Sequence, residues 1–461
     1  MRKYADLIKH TFFFDGKEDF SVENNELSFH GVQLMPLIEK YGTPLRFTYL
    51  PKIGQNINKA KGWFAKAIEK LNYGGTYTYC YCTKSSHFIF VLEEALKHDI
   101  QIETSSAFDI DIVRSLYKKG KIDTSKIVLC NGYKDATYAN NICQLLNDGF
   151  SNCIPILDNT AEFDRYQNAE INNIGIRIAT DEVPDMEFYT SRLGIPYKEV
   201  NDFYENKVAN HPKAKLKLLH FFINAGIKDT VHFWSELNKF VQKYCELKKI
   251  CPTLDTLDIG GGFPIKTSLG FEYDYEYMTE AILKTIQEVC EEENTPVPNI
   301  FTEFGSFTVG ESGGMIFSVL EAKEQNDKET WYMIDGSMIT HLPDTWGLNQ
   351  KFIMLAINHW NKEYQQAHIG GRTCDSLDYY TSEMHIAKIM LPKYEKDLYI
   401  GFFNMGAYQE SVGGYGGIQH CLIPAAKFVL IDQDENGNIS DRLFRDAQKS
   451  TDMLKLLGYE Q

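Results

Sequence analysis

The sequence predicts an α/β protein: a (β/α)8, TIM-like barrel joined to a mostly antiparallel β-domain. Three observations predict it. Apolar strand-like runs alternate with helical stripes from about residue 45 to 303, which is the size and order of an α/β barrel. After about residue 310 the texture changes to clustered glycines and short β-like runs. The 461 residues, at about 150 per domain, allow three ordinary domains or two larger ones. An open, doubly wound sheet has the same local signature, and periodicity alone does not separate it from a barrel.

Taken in order, TYTYCYC (76–82) reads as a strand, followed by Phe88, Val91, Leu92, Ala95 and Leu96 at the spacing of a buried helix face. KIVLC (126–130) is a second strand, and NGYKD leads from it into the helical ATYANNICQLL. CIPIL (153–157), IGIRIA (174–179), LKLLHFFI (216–223) and TLDTLDI (253–259) are further strands. Phe233, Leu237, Phe240, Val241 and Tyr244 form a helical stripe; Ile282, Ile286 and Val289 form another before the strand NIFTEF (299–304). Beyond VGESGG, the runs MIFSVLEA, WYMIDG, LYIGFFN and KFVLIDQD, punctuated by DGS, IGG and VGGYGG, read as short strands. The expected division is a barrel over 41–309 and a discontinuous β-domain from 1–40 and 310–461.

Composition narrows the function. Hydrophobic content of 43% and charged content of 24% allow a sizeable core. The 27 Tyr and 29 Phe suggest large packed interfaces or ring-lined sites. A net charge of −16 disfavours nucleic acid and anionic membranes as partners, since phosphate would be repelled, and tolerates a cationic one. No run of about 18 apolar residues is present, so no membrane span is expected. The charge-interrupted N-terminus reads as no signal peptide. The ten cysteines are scattered without a CxxC pair, which fits reduced thiols in a cytoplasmic protein rather than a zinc ribbon.

Five features could carry chemistry. Lys84 shares the parity of Thr76, Thr78, Cys80 and Cys82, whereas Tyr77, Tyr79 and Tyr81 share the other face. If the bulky face packs on helices, the small face points into the barrel and Lys84 enters a roomy rim. A desolvated lysine there can form a Schiff base with an aldehyde, although a solvated loop lysine is the commoner reading of the local sequence. Gly260, Gly261 and Gly262 follow a strand and let backbone N–H groups approach a phosphate, or simply make a turn. Glu303 ends a strand before Gly305 and could pair with a heterocyclic nitrogen, or be a solvated strand end. Cys374 beside Asp375 offers a thiol acid and a carboxylate, or a small core residue beside a turn former. Tyr408 after Gly406 could reach a phosphate with its hydroxyl, or sit in the core.

In this order and spacing the five features resemble the fold-type III pyridoxal-phosphate-dependent decarboxylases of basic amino acids, which use an alanine-racemase-like barrel plus a β-domain. The resemblance runs from about YGTPL (41–45) to the C-terminal strands. It implies that Lys84 in YCYCTKSSH holds pyridoxal 5′-phosphate, that Gly260 to Gly262 and Gly406-Ala407-Tyr408 receive its phosphate, and that Glu303 pairs with the pyridine nitrogen. It puts Arg177 near the cofactor and implies that Cys374 and Asp375 act across the interface of a homodimer. LCNGYKDATY (129–138) and LPDTWGLNQKF (342–352) look like the biosynthetic arginine decarboxylase branch. Several positions, in two segments, depart from the family pattern. In HFFINAG a ring-stacking His becomes Phe222 and a phosphate-binding Ser becomes Ala225. A Glu-Pro-Gly-Arg run becomes Glu303, Phe304, Gly305 and Ser306, leaving Gly305, Ser306 and backbone amides in place of a bidentate arginine.

The expectation is therefore decarboxylation of a small cationic amino acid, L-arginine to agmatine, in polyamine and spermidine biosynthesis. Cys374 would return a proton to the α-carbon. Asp375, with Asp335 as second candidate, would hold the distal cation, because a buried guanidinium needs acidic partners. The alternatives are an ornithine, lysine, diaminopimelate or carboxynorspermidine decarboxylase, a racemase on the same barrel, and a catalytically silent regulatory homologue. No metal is expected in the site.

Overall fold

A computed structural model describes residues 2–12, 19–167, 169–183, 186–326, 329–384, 387–410 and 419–459. The VGGYGG run at 412–417 lies outside the described residues. The chain divides into two compact units: residues 54–264 with 273–308, and residues 1–53 with 265–272 and 309–461.

The first unit is a closed barrel of eight parallel strands, each paired with its neighbours in chain order. They are β1 (Tyr77–Cys82), β2 (Gln101–Thr104), β3 (Val128–Cys130), β4 (Cys153–Leu157), β5 (Asn173–Arg177), β6 (Lys215–His220), β7 (Thr256–Asp258) and β8 (Asn299–Phe304). β8 pairs with β1 and closes the ring. The open-sheet alternative is thereby settled in favour of the barrel.

The parity expected of β1 is observed. The Tyr77 ring stacks on Phe64 of the helix Pro51–Leu71, with centroids 3.9 Å apart, and the Tyr79 hydroxyl bonds that of Thr308 at 2.7 Å. Cys80 instead packs with Leu129, Ile154, Ile156, Leu218 and Phe301, one buried cluster contributed by five strands. An apolar layer therefore plugs the barrel, and the next inward residue on each strand stands one layer closer to the C-terminal rim. The helices that cover the strands start at side-chain caps. Ser106, Asp135, Thr230 and Asp274 each accept the backbone N–H three residues on, beginning the helices Ala107–Lys118, Ala136–Asn147, Val231–Ile250 and Tyr275–Glu292.

The second unit holds a nine-stranded mixed sheet. Gly313–Glu324 is its longest strand and pairs antiparallel with Leu45–Tyr49, Thr330–Ile334 and Tyr399–Phe403. Two pairings are parallel: Leu45–Tyr49 with Lys427–Gln433, and Thr330–Ile334 with His368–Gly370. Phe20, Leu27 and Phe29, from a small antiparallel sheet, pack in this unit's core with Phe47 and Phe403. One strand differs from the sequence reading. Leu45–Tyr49, expected at the start of the barrel, belongs to this second sheet, and the short Gln101–Thr104 is the barrel strand that replaces it.

Truncating the barrel plug tests the packing. Ile156→Ala is expected to lower stability by about 2–5 kcal/mol, read as a shifted urea midpoint at unchanged slope.

Candidate active site

Lys84 stands in the short turn Thr83–Ser85 that follows β1. The Thr83 hydroxyl donates to the Glu103 carbonyl at 3.1 Å, and the Ser85 hydroxyl donates to the Cys82 carbonyl at 2.8 Å, which pins the turn on β1 and β2. Lys84 reaches inward from this turn. Its Nζ lies 3.0 Å from Glu103 Oε2; the Glu103 side chain is fully buried, whereas that of Lys84 is 41% exposed. Burial pushes the Glu103 carboxyl up to about 7, with the Lys84 ammonium pulling against the rise.

Around the barrel, Arg177, His220 and Asp258 are register partners on β5, β6 and β7. Glu303, on β8, meets them. Asn131, just past β3, donates its amide to both Glu303 oxygens, at 3.0 and 3.1 Å, and His220 Nε2 lies 3.2 Å from Glu303 Oε2. Burial alone would raise the Glu303 carboxyl, but His220, Lys84 and Asp258 outweigh it and hold it down at about 2. Asp258 goes the other way. Burial and the neighbouring Glu303 charge push it well above the carboxylate range, although it accepts the Gly260 N–H at 2.9 Å. Burial lowers His220, and it lowers Arg177 as well. One carboxyl, Glu303, is therefore held low beside two, Glu103 and Asp258, that are pushed up.

The glycines form a cradle beside this layer. Gly260 and Gly262 have φ of +67° and +120°. A Cβ on Gly261 would lie 2.2 Å from the Glu303 carbonyl, and one on Gly226 would lie 2.9 Å from the Gly262 carbonyl. On the far side a Cβ on Gly305 would meet Ser85 Cβ at 3.0 Å and Cys82 Cβ at 3.2 Å, so the strand end carrying Glu303 approaches the Lys84 turn closely. Ser306 opens the following turn, Ser306–Val309, and is half-buried. Phe222 lies against Gly260, and the Arg177 guanidinium stands 5.9 Å from its ring.

Lys84, Arg177, Phe222, Gly260 to Gly262, Glu303, Gly305 and Ser306 thus all fall in the barrel unit. Tyr408, Cys374, Asp375 and Asp335 fall in the other. Tyr408 has a left-handed φ of +67°, two residues after Gly406. The buried Asp335 accepts the Ser318 N–H at 3.0 Å, and burial pushes its carboxyl up to about 6. Asp375 accepts the Leu377 N–H at 2.8 Å. Cys374 is exposed, with its sulfur 3.3 Å from that of Cys421, and that contact raises the Cys374 thiol.

Sequence reasoning passed over Glu103, Asn131, His220 and Asp258. The signal lay in strand parity. Asn131, His220 and Glu303 each stand two residues beyond a plug residue, Leu129, Leu218 and Phe301.

The barrel region matches a known family. Residues 56–310 match the pyridoxal binding domain of the pyridoxal-dependent decarboxylases. A biosynthetic arginine decarboxylase of Prochlorococcus marinus (strain MIT 9215) is 23% identical, aligned over 97% of this chain and 88% of its own. Among solved structures, the biosynthetic arginine decarboxylase of Campylobacter jejuni superposes with a TM-score of 0.82 at 18% identity, covering 100% of this chain and 91% of that one. The diaminopimelate decarboxylase of M. jannaschii in complex with L-lysine gives 0.79 at 18% identity, covering 95% and 97%.

The residues present fit the cofactor that the family name implies. Arg177 Nε and His220 Nδ1 are buried without a hydrogen-bond partner, as groups that await a polar ligand would be. The glycine cradle carries no Cβ atoms at Gly260 to Gly262, an amine stands at the rim, and the Glu303 carboxyl is held low nearby. The chain belongs to the pyridoxal-dependent decarboxylases, enzymes that work with pyridoxal 5′-phosphate, and residues 56–310 are its pyridoxal-binding region.

Proposed function

We propose that this enzyme decarboxylates a basic amino acid, L-arginine in the first place, giving agmatine and carbon dioxide for polyamine biosynthesis. One observation carries the reading. Lys84 lies 3.0 Å from Glu103, and donor atoms of Glu103 and Glu303 come within 4.8 Å of one another, so an amine and an ionised carboxylate share one barrel end. The choice of arginine is supported by near-full-length relatives named biosynthetic arginine decarboxylase.

The bound cofactor supplies an electron sink for the pair released as carbon dioxide leaves. Lys84 is the amine that holds it. Glu303, held low chiefly by His220 and Lys84, holds a proton at the ring nitrogen; a protonated carboxyl could not. Phe222 offers an apolar face to the ring without donating a hydrogen bond. Gly260 to Gly262 shape the phosphate cradle, with the Gly261, Gly262 and Gly305 backbone and the Ser306 hydroxyl as donors, Arg177 offers positive charge, and the resemblance adds Tyr408. Once carbon dioxide has left, Cys374 Sγ–H delivers the proton that forms the new C–H bond at the α-carbon. Asp375, with Asp335 as second candidate, pairs with the distal guanidinium.

A panel of basic amino acids with carbon dioxide release as readout tests this. Arginine should be fastest. A preference for ornithine, lysine, diaminopimelate or carboxynorspermidine moves the substrate within the class, and silence with all of them, cofactor added, points to a regulatory homologue. Lys84→Ala should abolish turnover, and Glu303→Gln should lower kcat by roughly 100-fold or more. If Cys374 acts in a homodimer's shared site, mixing Lys84→Ala with Cys374→Ala chains should restore part of the activity.

Glu103 predicts a pH effect on the cofactor-free chain. Its carboxyl rises from 4.5 to about 7 on folding, so between those values the folded state keeps a proton that the unfolded state has lost. Stability should therefore fall as pH climbs through this window and level off above it. Urea midpoints across the window should show a flatter profile in Glu103→Gln.

A further inference from the structure

In the β-domain unit, two short segments bring soft donors together. Cys374 and Cys421 sulfurs lie 3.3 Å apart, and the Cys374 N–H donates to the Cys421 sulfur at 3.4 Å. Donor atoms of Cys374, His420 and Cys421 all lie within 4.8 Å of one another. Asp375 Oδ2 stands 3.8 Å from His420 Nε2. Within a single chain Cys374 and Cys421 are exposed, whereas the other eight cysteines are buried or half-buried, so a thiol-seeking ion that enters this region meets this pair first. Cys421 and Leu422 both have left-handed φ, +55° and +52°, an unfavourable backbone for non-glycine residues.

We propose that Cys374, His420 and Cys421, with Asp375 as fourth donor, form a binding site for a zinc-class divalent cation. Two thiolates this close repel one another unless a cation lies between them, and two sulfurs with an imidazole select a borderline or soft metal over magnesium or calcium. Metal–sulfur bonds of about 2.3 Å in a tetrahedron put two sulfurs about 3.8 Å apart, so the pair admits an ion by opening about half an ångström from its 3.3 Å separation. Binding balances as one divalent ion taken up and two thiol protons released, with the imidazole entering neutral. The consequence for activity rests on the proton-donor role proposed for Cys374. The metal takes the sulfur that would carry that proton, so occupancy should silence turnover until a chelator removes the ion.

Cadmium ion is the probe, added to reduced, chelator-stripped holoenzyme. The expected result is a thiolate-to-cadmium absorption band that saturates at one ion per chain, is displaced by zinc ion, and is accompanied by proton release in weak buffer. Cys421→Ser and His420→Ala should weaken binding by roughly 10-fold or more while leaving metal-free decarboxylation unchanged. Absence of the band, or a band that persists undiminished in Cys421→Ser, overturns the site. A pair that proves to be a disulfide under reducing conditions and takes no cadmium overturns it equally. A saturating band with unaltered carbon dioxide release keeps the site and removes Cys374 from the reaction, so the two readings fail separately.

Discussion

Three carboxyl groups buried at one end of the barrel are the constraint on which the rest of the site depends. Glu103, Asp258 and Glu303 are almost wholly removed from water. An ion in such surroundings loses hydration worth several kcal/mol, and three adjacent negative charges would repel strongly. The structure resolves this by dividing the roles. Glu303 takes the Asn131 amide and the His220 ring and is the ionised member; Asp258, beside that charge, is pushed toward its protonated form; Glu103, on the other side of Glu303, lies against Lys84. Each assignment depends on the others, because protonating Glu303 would remove the charge that holds the proton on Asp258. A carboxylate fixed in its ionised form by neighbours, not by solvent, is the property needed to hold a proton on a heterocyclic nitrogen through a reaction.

The apolar plug beneath this layer has a matching role. Leu129, Ile154, Ile156, Leu218 and Phe301 leave the barrel interior closed to water from below, so the charges above them are screened only from the rim. The alternation of side chains along each strand thus does two jobs with one period: a residue at one position fills the core, and the next inward residue carries chemistry.

That period explains what was legible in the sequence. Lys84 could be placed because β1 is six residues long and its two faces differ in bulk, Tyr against Cys and Thr. Gly260 to Gly262 stood out because they follow a clear strand, and Glu303 because it ends one. Glu103 did not, because its strand is only four residues long, too short to show a period. Asn131, His220 and Asp258 each end an apolar run, and a polar residue there is the ordinary end of a strand; only the closed pairing of β3, β6, β7 and β8 makes them neighbours of Glu303. Leu45–Tyr49 was misplaced for a similar reason. Its partners, Gly313–Ile316 and Lys427–Ile431, are hundreds of residues away, and nothing local distinguishes it from a barrel strand.

The glycine cradle and Glu303 are one mechanical piece. The Glu303 N–H donates to the Gly260 carbonyl at 2.9 Å, the Gly260 N–H donates to Asp258, and the Glu303 carbonyl occupies the space that a Cβ on Gly261 would need. The same Glu303 carbonyl accepts the Cys82 thiol at 3.0 Å, on the strand that leads to Lys84. A displacement of the cradle therefore moves the carboxylate backbone, and with it the base of the lysine turn. In the proposed reading the amine, the ring partner and the phosphate contacts are held at fixed separations by backbone hydrogen bonds, so side-chain substitutions such as Phe222 and Ser306 alter individual contacts and leave the spacing of the frame unchanged. The loss of a family arginine at position 306 bears on phosphate charge alone, and Arg177, 5.9 Å from the Phe222 ring with an uncommitted Nε, is the cation already held beside the cradle.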